Sequence, residues 1–433
     1  MRTWRGPLSP HSTPRWRTEG ARGAVAMTPS WMEVLRSRLD ALDAQHLRRT
    51  RRIVEGGCAS QMTVADPAGP RPLLAFCSND YLGLAAHPAV AEALVRGVRA
   101  VGAGSGASAL ISGHHRAHER VEERFAALLA PHIPRCRALL FGTGYLANTA
   151  TIAALADREA AIFSEALNHA SLIDGVRLSP AARHIYPHAD LAALGAMLRA
   201  STARQKIIVT DAVFSMDGDL APLPQLLALA EEHGALLMVD DAHGFGVLGP
   251  RGAGALAHFA LRSENLVYVG TLGKALGVSG AFVAAHANVI EWLVQRGRPY
   301  VFSTAPPPAL SYGLEAALDI ATGVEGDALR GALAGHVARL QAGLRVAPWC
   351  PLPSTTAIQP IVIGDNAGTM DAAAALFERG IWVAGIRPPT VAEGSARLRA
   401  TLSAAHTPAQ VDELIAALNA LSPRARGHDE PHR

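Results

Sequence analysis

Between residues 138 and 284 short apolar runs alternate with longer amphipathic segments, and this alternation narrows the possible folds more than any other feature of the chain. The runs are Ala138–Phe141, Ala161–Phe163, Lys206–Thr210, Ala235–Val239, Leu266–Val269 and Ala281–Ala284. Strands separated by helical segments predict an α/β architecture, a largely parallel sheet with crossover helices. Ligands of such sheets gather at the carboxyl ends of the strands. Gly142–Tyr145, Asp240–His243 and Thr271–Lys274, which follow three of the runs, are therefore where chemistry is expected.

The rest of the chain is organised around that block. At 433 residues it has room for two or three domains. Trp31, Met32, Leu35, Leu39 and Leu42 recur at helical spacing, so residues 27–75 read as an entry helix and arm. Residues 76–309 form the expected large domain, and the cluster Pro306–Pro308 closes it. From 310 to 421 helical text, strand-like runs at Ile358–Ile363 and Trp382–Ile386, and a helix Pro408–Leu421 capped by Thr407 predict a smaller α+β domain. Residues 1–26 are rich in Arg, Ser and Pro without an apolar core, and read as a disordered leader or a start assigned too early, with Met27 the true start. The polar tail 422–433 is expected to fray.

Composition excludes several classes of function. The formal charge is +3, but residues 1–26 carry five arginines against Glu19 alone, which leaves the body close to neutral and unlike a nucleic-acid binder. Cys58, Cys77, Cys136 and Cys350 lie far apart with no CxxC pair, so neither a zinc ribbon nor a dense disulfide scaffold is available, and a reducing cytoplasm is the expected home. The uncharged stretch Ala138–Ala156 contains Gly142, Thr143, Gly144, Asn148, Thr149 and Thr151, which argues against a membrane span.

Several familiar motifs fail on position. Gly273-Lys274 would end a phosphate-binding P-loop only with Gly at 268 and Ser or Thr at 275, where Tyr268 and Ala275 stand. Gly104-Ser105-Gly106 follows a helical segment, not the strand that a dinucleotide fingerprint needs. Neither Ser215 nor Ser105 has the flanking glycines of a nucleophile elbow. His114 and His118 share a helical spacing without a metal motif, and an exposed polar helix start accounts for them. No metal site is expected.

What survives centres on Lys274. An amine at the end of a buried strand either caps that strand or is desolvated and made nucleophilic. Asp240 ends another strand, where a buried carboxylate needs a cation such as a pyridinium nitrogen. Gly142-Thr143-Gly144-Tyr145 joins a strand to a helix and leaves N–H groups free for a phosphate. Lysine, acid and phosphate cup together are what pyridoxal phosphate requires.

These segments carry a resemblance. Cys77-Ser78-Asn79-Asp80-Tyr81-Leu82-Gly83-Leu84, Asn168-His169-Ala170-Ser171-Leu172, Val213-Phe214-Ser215-Met216-Asp217-Gly218-Asp219, the Asp240 and Lys274 segments, Phe302-Ser303-Thr304 and Ile386-Arg387-Pro388-Pro389-Thr390 stand in the order found in the α-oxoamine synthases. The chain resembles that family over residues 31–421, most closely its biotin-pathway branch. The resemblance implies fold type I, with a mostly parallel seven-stranded sheet flanked by helices and a smaller C-terminal α+β domain. It implies pyridoxal 5'-phosphate as cofactor, a homodimer with shared active sites, and condensation of L-alanine with a pimeloyl thioester on CoA or acyl carrier protein. Lys274 would carry the cofactor and shuttle the α-proton, Asp240 would hold the pyridine nitrogen protonated, and His169 would stack on the ring. His243 and Ser215 would contact the ring hydroxyl. The Gly144 and Tyr145 amides, Thr271, and Thr304 from a second subunit would hold the phosphate. Arg387 would pair with the amino-acid carboxylate, and Arg49, Thr390 and Asn79 would line the substrate site, with Arg48 the alternative to Arg49. Other members of the family that use glycine, and non-catalytic partner subunits, are the rival readings; the latter can lose the lysine that Lys274 retains.

Overall fold

The structure is a computed structural model that describes residues 30–421. The expectations for residues 1–26 and 422–433 lie outside the described residues. Of the described residues, 30–48 form a unit of their own. It holds the entry helix, Trp31–Ala44, opened by a capping box in which Ser30 Oγ accepts from Glu33 N–H and Glu33 accepts from Ser30 N–H.

Residues from Arg49 onward form the second unit, built on a seven-stranded sheet. Its strands are β1 (Cys136–Phe141), β2 (Ala160–Glu165), β3 (Ala182–Tyr186), β4 (Gln205–Asp211), β5 (Ala235–Asp240), β6 (Leu266–Thr271) and β7 (Ala281–His286). They lie in the order β1-β7-β6-β5-β4-β2-β3, and β7 alone runs antiparallel to its neighbours. The expected α/β sheet is present, and its apolar runs have a packing reason. Leu139, Phe141, Ile162, Val209, Met238 and Val269 point into one hydrophobic layer. Leu140, Phe163, Ile208, Leu237, Val239 and Tyr268 point into the other. With helices on both faces, successive residues are all buried, and alternation disappears from the sequence. β3 escaped the sequence reading because it is an edge strand: Ala182 to Ile185 are exposed or half-buried, and Arg183 and His184 interrupt the apolar text.

Parallel register brings the strand ends into line. Asp211 at the end of β4 lies opposite Asp240 at the end of β5. Gly142 and Thr143 turn the chain from β1 into the helix Gly144–Leu155, with Thr143 Oγ1 accepting from Leu146 N–H.

Two four-stranded sheets complete the unit. Val54–Glu55, Gln61–Val64 and Arg71–Ala75 join Ile381–Trp382 in one, and Cys350–Pro351, Ile358–Gly364, Ala396–Thr401 and Ala384–Ile386 form the other. The single strand expected at Trp382–Ile386 is thereby corrected. Trp382 pairs with Ala75 in the first sheet and Ala384 with Arg399 in the second, with buried Val383 between them. The helix Pro408–Leu421 follows Thr407, whose hydroxyl accepts from Gln410 N–H as expected.

Candidate active site

Thr271 ends β6, and the turn that follows it places Lys274 at the carboxyl edge of the sheet. A cavity of about 540 Å³ opens there, walled by Asn79, His169, Ser215, His243, Lys274, Thr390 and Arg399, among others. Six of these seven were singled out from the sequence; Arg399 was not.

Lys274 Nζ donates to His243 Nε2 at 2.8 Å. An ammonium has no lone pair, so Nε2 accepts and the imidazole proton is on Nδ1, 2.5 Å from the hydroxyl of Tyr81. Tyr81 donates in turn to Asn79 Oδ1, which also accepts from Arg399. Burial is the largest influence on each titrating member of this chain: it pushes Lys274 down to about 8, His243 well below the usual histidine range, and Tyr81 up to about 12. Asp240 opposes the shift of Lys274.

Asp240 is 4% exposed, and its oxygens accept from Ala242 N–H and Asn148 Nδ2. Among the described residues no cationic side chain forms a salt bridge with it. A buried carboxylate so placed fits a pyridinium nitrogen. The phosphate end fits as well. Gly144 and Tyr145 are the first two residues of their helix, whose amides have no intrahelical acceptor. A Cβ at Gly144 would come within 2.9 Å of Thr271 Oγ1, so glycine keeps a hollow open between them. The residues present thus fit pyridoxal phosphate at both ends.

His169 caps the helix Ala170–Leu178, and its backbone N–H donates to Asp211 Oδ2 at 2.7 Å. Burial lowers its pKa and raises that of Asp211 well above the carboxylate range, with the charge of Asp240 adding to the latter. Arg49 Nη2 is 3.4 Å from Thr390 Oγ1, which brings two expected substrate residues together. Arg387 is 8% exposed and donates to Met370 Sδ; it is not among the residues that wall the cavity. Thr304 bridges to Ser108 and does not reach the cavity of its own chain.

Arg399 is a residue of the cavity wall that the sequence did not single out. It is 6% exposed, donates to Ser215 O at 2.6 Å and also reaches Thr401 Oγ1. The signal was there: Arg397, Arg399 and Thr401 alternate with apolar residues along a strand in which every residue is buried. His118 needs a correction. It is 3% exposed, on the buried side of the helix Arg116–Leu129, and its Nε2 lies 3.0 Å from Pro306 O. Among the described residues no group of three potential metal ligands occurs.

Comparison with known proteins agrees with this geometry. The family of class I and II aminotransferases matches residues 71–418. An 8-amino-7-oxononanoate synthase from Janthinobacterium sp. (strain Marseille) is 59% identical, over 89% of this chain and 97% of its own. One from Bordetella petrii is also 59% identical, over 91% and 98%. Among solved structures, a serine palmitoyltransferase from S. paucimobilis with bound PLP superposes with a TM-score of 0.83 at 25% identity, covering 92% of this chain and 98% of that one. An 8-amino-7-oxononanoate synthase from Francisella tularensis gives 0.68 at 29% identity, covering 82% and 98%. The buried lysine, acid and phosphate hollow on a fold type I sheet, together with these relatives, make the chain a member of the 8-amino-7-oxononanoate synthase family, whose cofactor is pyridoxal phosphate.

Proposed function

We propose that this enzyme condenses L-alanine with a pimeloyl thioester, on CoA or acyl carrier protein, releasing carbon dioxide and the free thiol and giving 8-amino-7-oxononanoate for biotin synthesis. The observation that carries the reading is Lys274, a buried amine beside His243 on the cavity wall, with its pKa lowered to about 8 by burial against the opposing charge of buried Asp240. Bound pyridoxal phosphate supplies the electron sink for loss of the α-proton and of the carboxylate.

Every other task falls to the chain. Lys274 would hold the cofactor covalently and then move the α-proton. Asp240 would keep a proton on the pyridine nitrogen, and His169 would stack on the ring. His243 and Ser215 would contact the ring hydroxyl. The Gly144 and Tyr145 amides and Thr271 would hold the phosphate, joined by Thr304 from a second copy of the chain in a homodimer.

For the amino-acid carboxylate the chain offers Arg399 on the cavity wall, and Arg387, three residues before Thr390 of that wall. Guanidinium suits that task by its paired donors. Arg49, Thr390 and Asn79 line the path of the acyl group. Among the described residues no helix is long and apolar enough to cross a membrane, and the four cysteines are free thiols, which supports a cytoplasmic enzyme.

Mass spectrometry of the products formed from alanine or glycine with a panel of acyl thioesters tests the proposal. Alanine with pimeloyl thioester is expected to give the highest kcat/KM. A preference for glycine with acetyl or succinyl thioester would overturn it in favour of the glycine-using relatives.

A further inference from the structure

The helix Gly144–Leu155 runs beside the start of the helix Ala170–Leu178 and carries Asn148 between small residues. Asn148 and Ser171 are each 1% exposed. A buried amide in a helix interior gains nothing from helix propensity. Its hydrogens go to two different groups: Nδ2 is 2.5 Å from Asp240 Oδ2 and 2.8 Å from Ser171 Oγ. This orientation is forced, because turning the amide over would set its carbonyl oxygen against the carboxylate. The cost is that Asn148 Oδ1 has no hydrogen-bond partner.

Ser171 Oγ accepts from Asn148 and keeps one proton to give. His169 Nδ1 lies 2.7 Å from it, and the backbone N–H of Ser171 reaches the same nitrogen at 3.3 Å. Nδ1 therefore faces two donors and must present a lone pair. In a neutral imidazole the proton is then on Nε2. Among the described residues nothing hydrogen-bonds Nε2, and His169 lies on the cavity wall.

We propose that Asn148 and Ser171 are positioning residues whose hydrogen bonds run unbroken from Asp240 to His169, fixing the imidazole with its proton on Nε2 as a donor facing the cavity. One bridge thereby aligns both residues that flank the cofactor ring. The inference rests on the roles given above to His169 and Asp240. Burial of His169, which disfavours its charged form, is consistent with the neutral ring.

The test uses the full chain with its cofactor, labelled with nitrogen-15 in histidine, with His169 assigned from the signals lost in His169→Gln. The wild-type protein is expected to show a lone-pair Nδ1 and a protonated Nε2. Ser171→Ala leaves Nδ1 only the longer backbone N–H contact of 3.3 Å and is expected to admit a detectable population of the other tautomer at His169 alone, and Ser171→Thr, which keeps the hydroxyl, to restore the single form. In turnover, Ser171→Ala and Asn148→Ala should each lower kcat about tenfold, with KM for alanine moved less than about threefold. The double variant should match the worse single one, because both break one bridge. An unchanged His169 tautomer in both single variants, with losses that multiply in the double, would overturn the bridge. If His169→Gln leaves turnover intact while the tautomer shifts as expected, the bridge stands and the role given to His169 falls.

Discussion

Lys274 Nζ and His243 Nε2 are 2.8 Å apart, a contact that requires the imidazole to be neutral whenever the lysine is charged. Burial supplies that condition by disfavouring charge on both, and His243 yields first. The lysine is left half-poised: deprotonation needs a pH near 8 rather than the 10.5 of a solvated amine.

Capture of added pyridoxal phosphate by the cofactor-free protein should follow this. Only the neutral amine attacks, and a lowered pKa makes it the major form above about 8. The capture rate, followed by visible absorbance, is expected to rise with pH and level off near that value. A midpoint close to that of a solvated lysine would contradict the environment described. Lys274→Ala should retain cofactor only weakly and show no turnover.

Asp240 and Asp241 are adjacent in sequence but should fail differently. Asp240→Asn removes the charge that keeps the ring nitrogen protonated. A lost buried ion pair of about 3–5 kcal/mol, at about 1.4 kcal/mol per tenfold, slows α-proton exchange from alanine by two to four powers of ten. Asp241 instead accepts from Tyr268 Oη at 2.7 Å and Ala255 N–H at 2.6 Å, contacts that tie elements of the fold together. Asp241→Asn should lower the melting temperature and leave the exchange rate within about threefold. Proton exchange measured by NMR in both variants decides the assignment.

Arg399 and Arg387 can be separated by substrate affinity. If the wall residue holds the carboxylate, Arg399→Lys should raise KM for alanine by about tenfold or more, since a charged hydrogen bond is worth about 1.5–3 kcal/mol. Arg387→Lys should change it less. The reverse order would restore Arg387 to the role that the resemblance gives it.

His188 ties two elements together, with Nδ1 2.7 Å from Glu165 and Nε2 3.0 Å from Asp219. Asp219 and Glu165, in that order, raise its pKa to about 10. A pKa raised on folding stabilises fully below the unfolded value of 6.5, and that stability is lost as pH climbs through about 10. The melting temperature of the wild-type protein should therefore fall over this interval by more than that of His188→Gln. Thermal unfolding of both proteins across the range measures the difference, and parallel curves would show that the two contacts add no stability.

Much of the site was readable because its residues sit at strand ends, where a buried apolar run stops at a polar group. Asp240 and Lys274 announce themselves in this way. Arg399 does not, because it lies inside a strand and its partners, Ser215 O and Asn79, are 184 and 320 residues away. Asn148 was hidden for a related reason. A single amide among alanines and threonines reads as a tolerated helix residue until Asp240 and Ser171 are seen on either side of it. β3 was lost because an edge strand shows polar residues to solvent.

The division of residues 381–386 between two sheets makes this stretch intolerant of any change in length. Val383 is the sole link between Trp382 and Ala384, each already committed to a partner strand. One inserted residue would push Ala384–Ile386 along by a single position, exchanging its inward and outward sides. Arg387 and Thr390, just downstream, would be carried off with it. Relatives of this chain are thus expected to keep this segment at constant length, and insertion of one glycine after Val383 should abolish turnover even where the protein still folds.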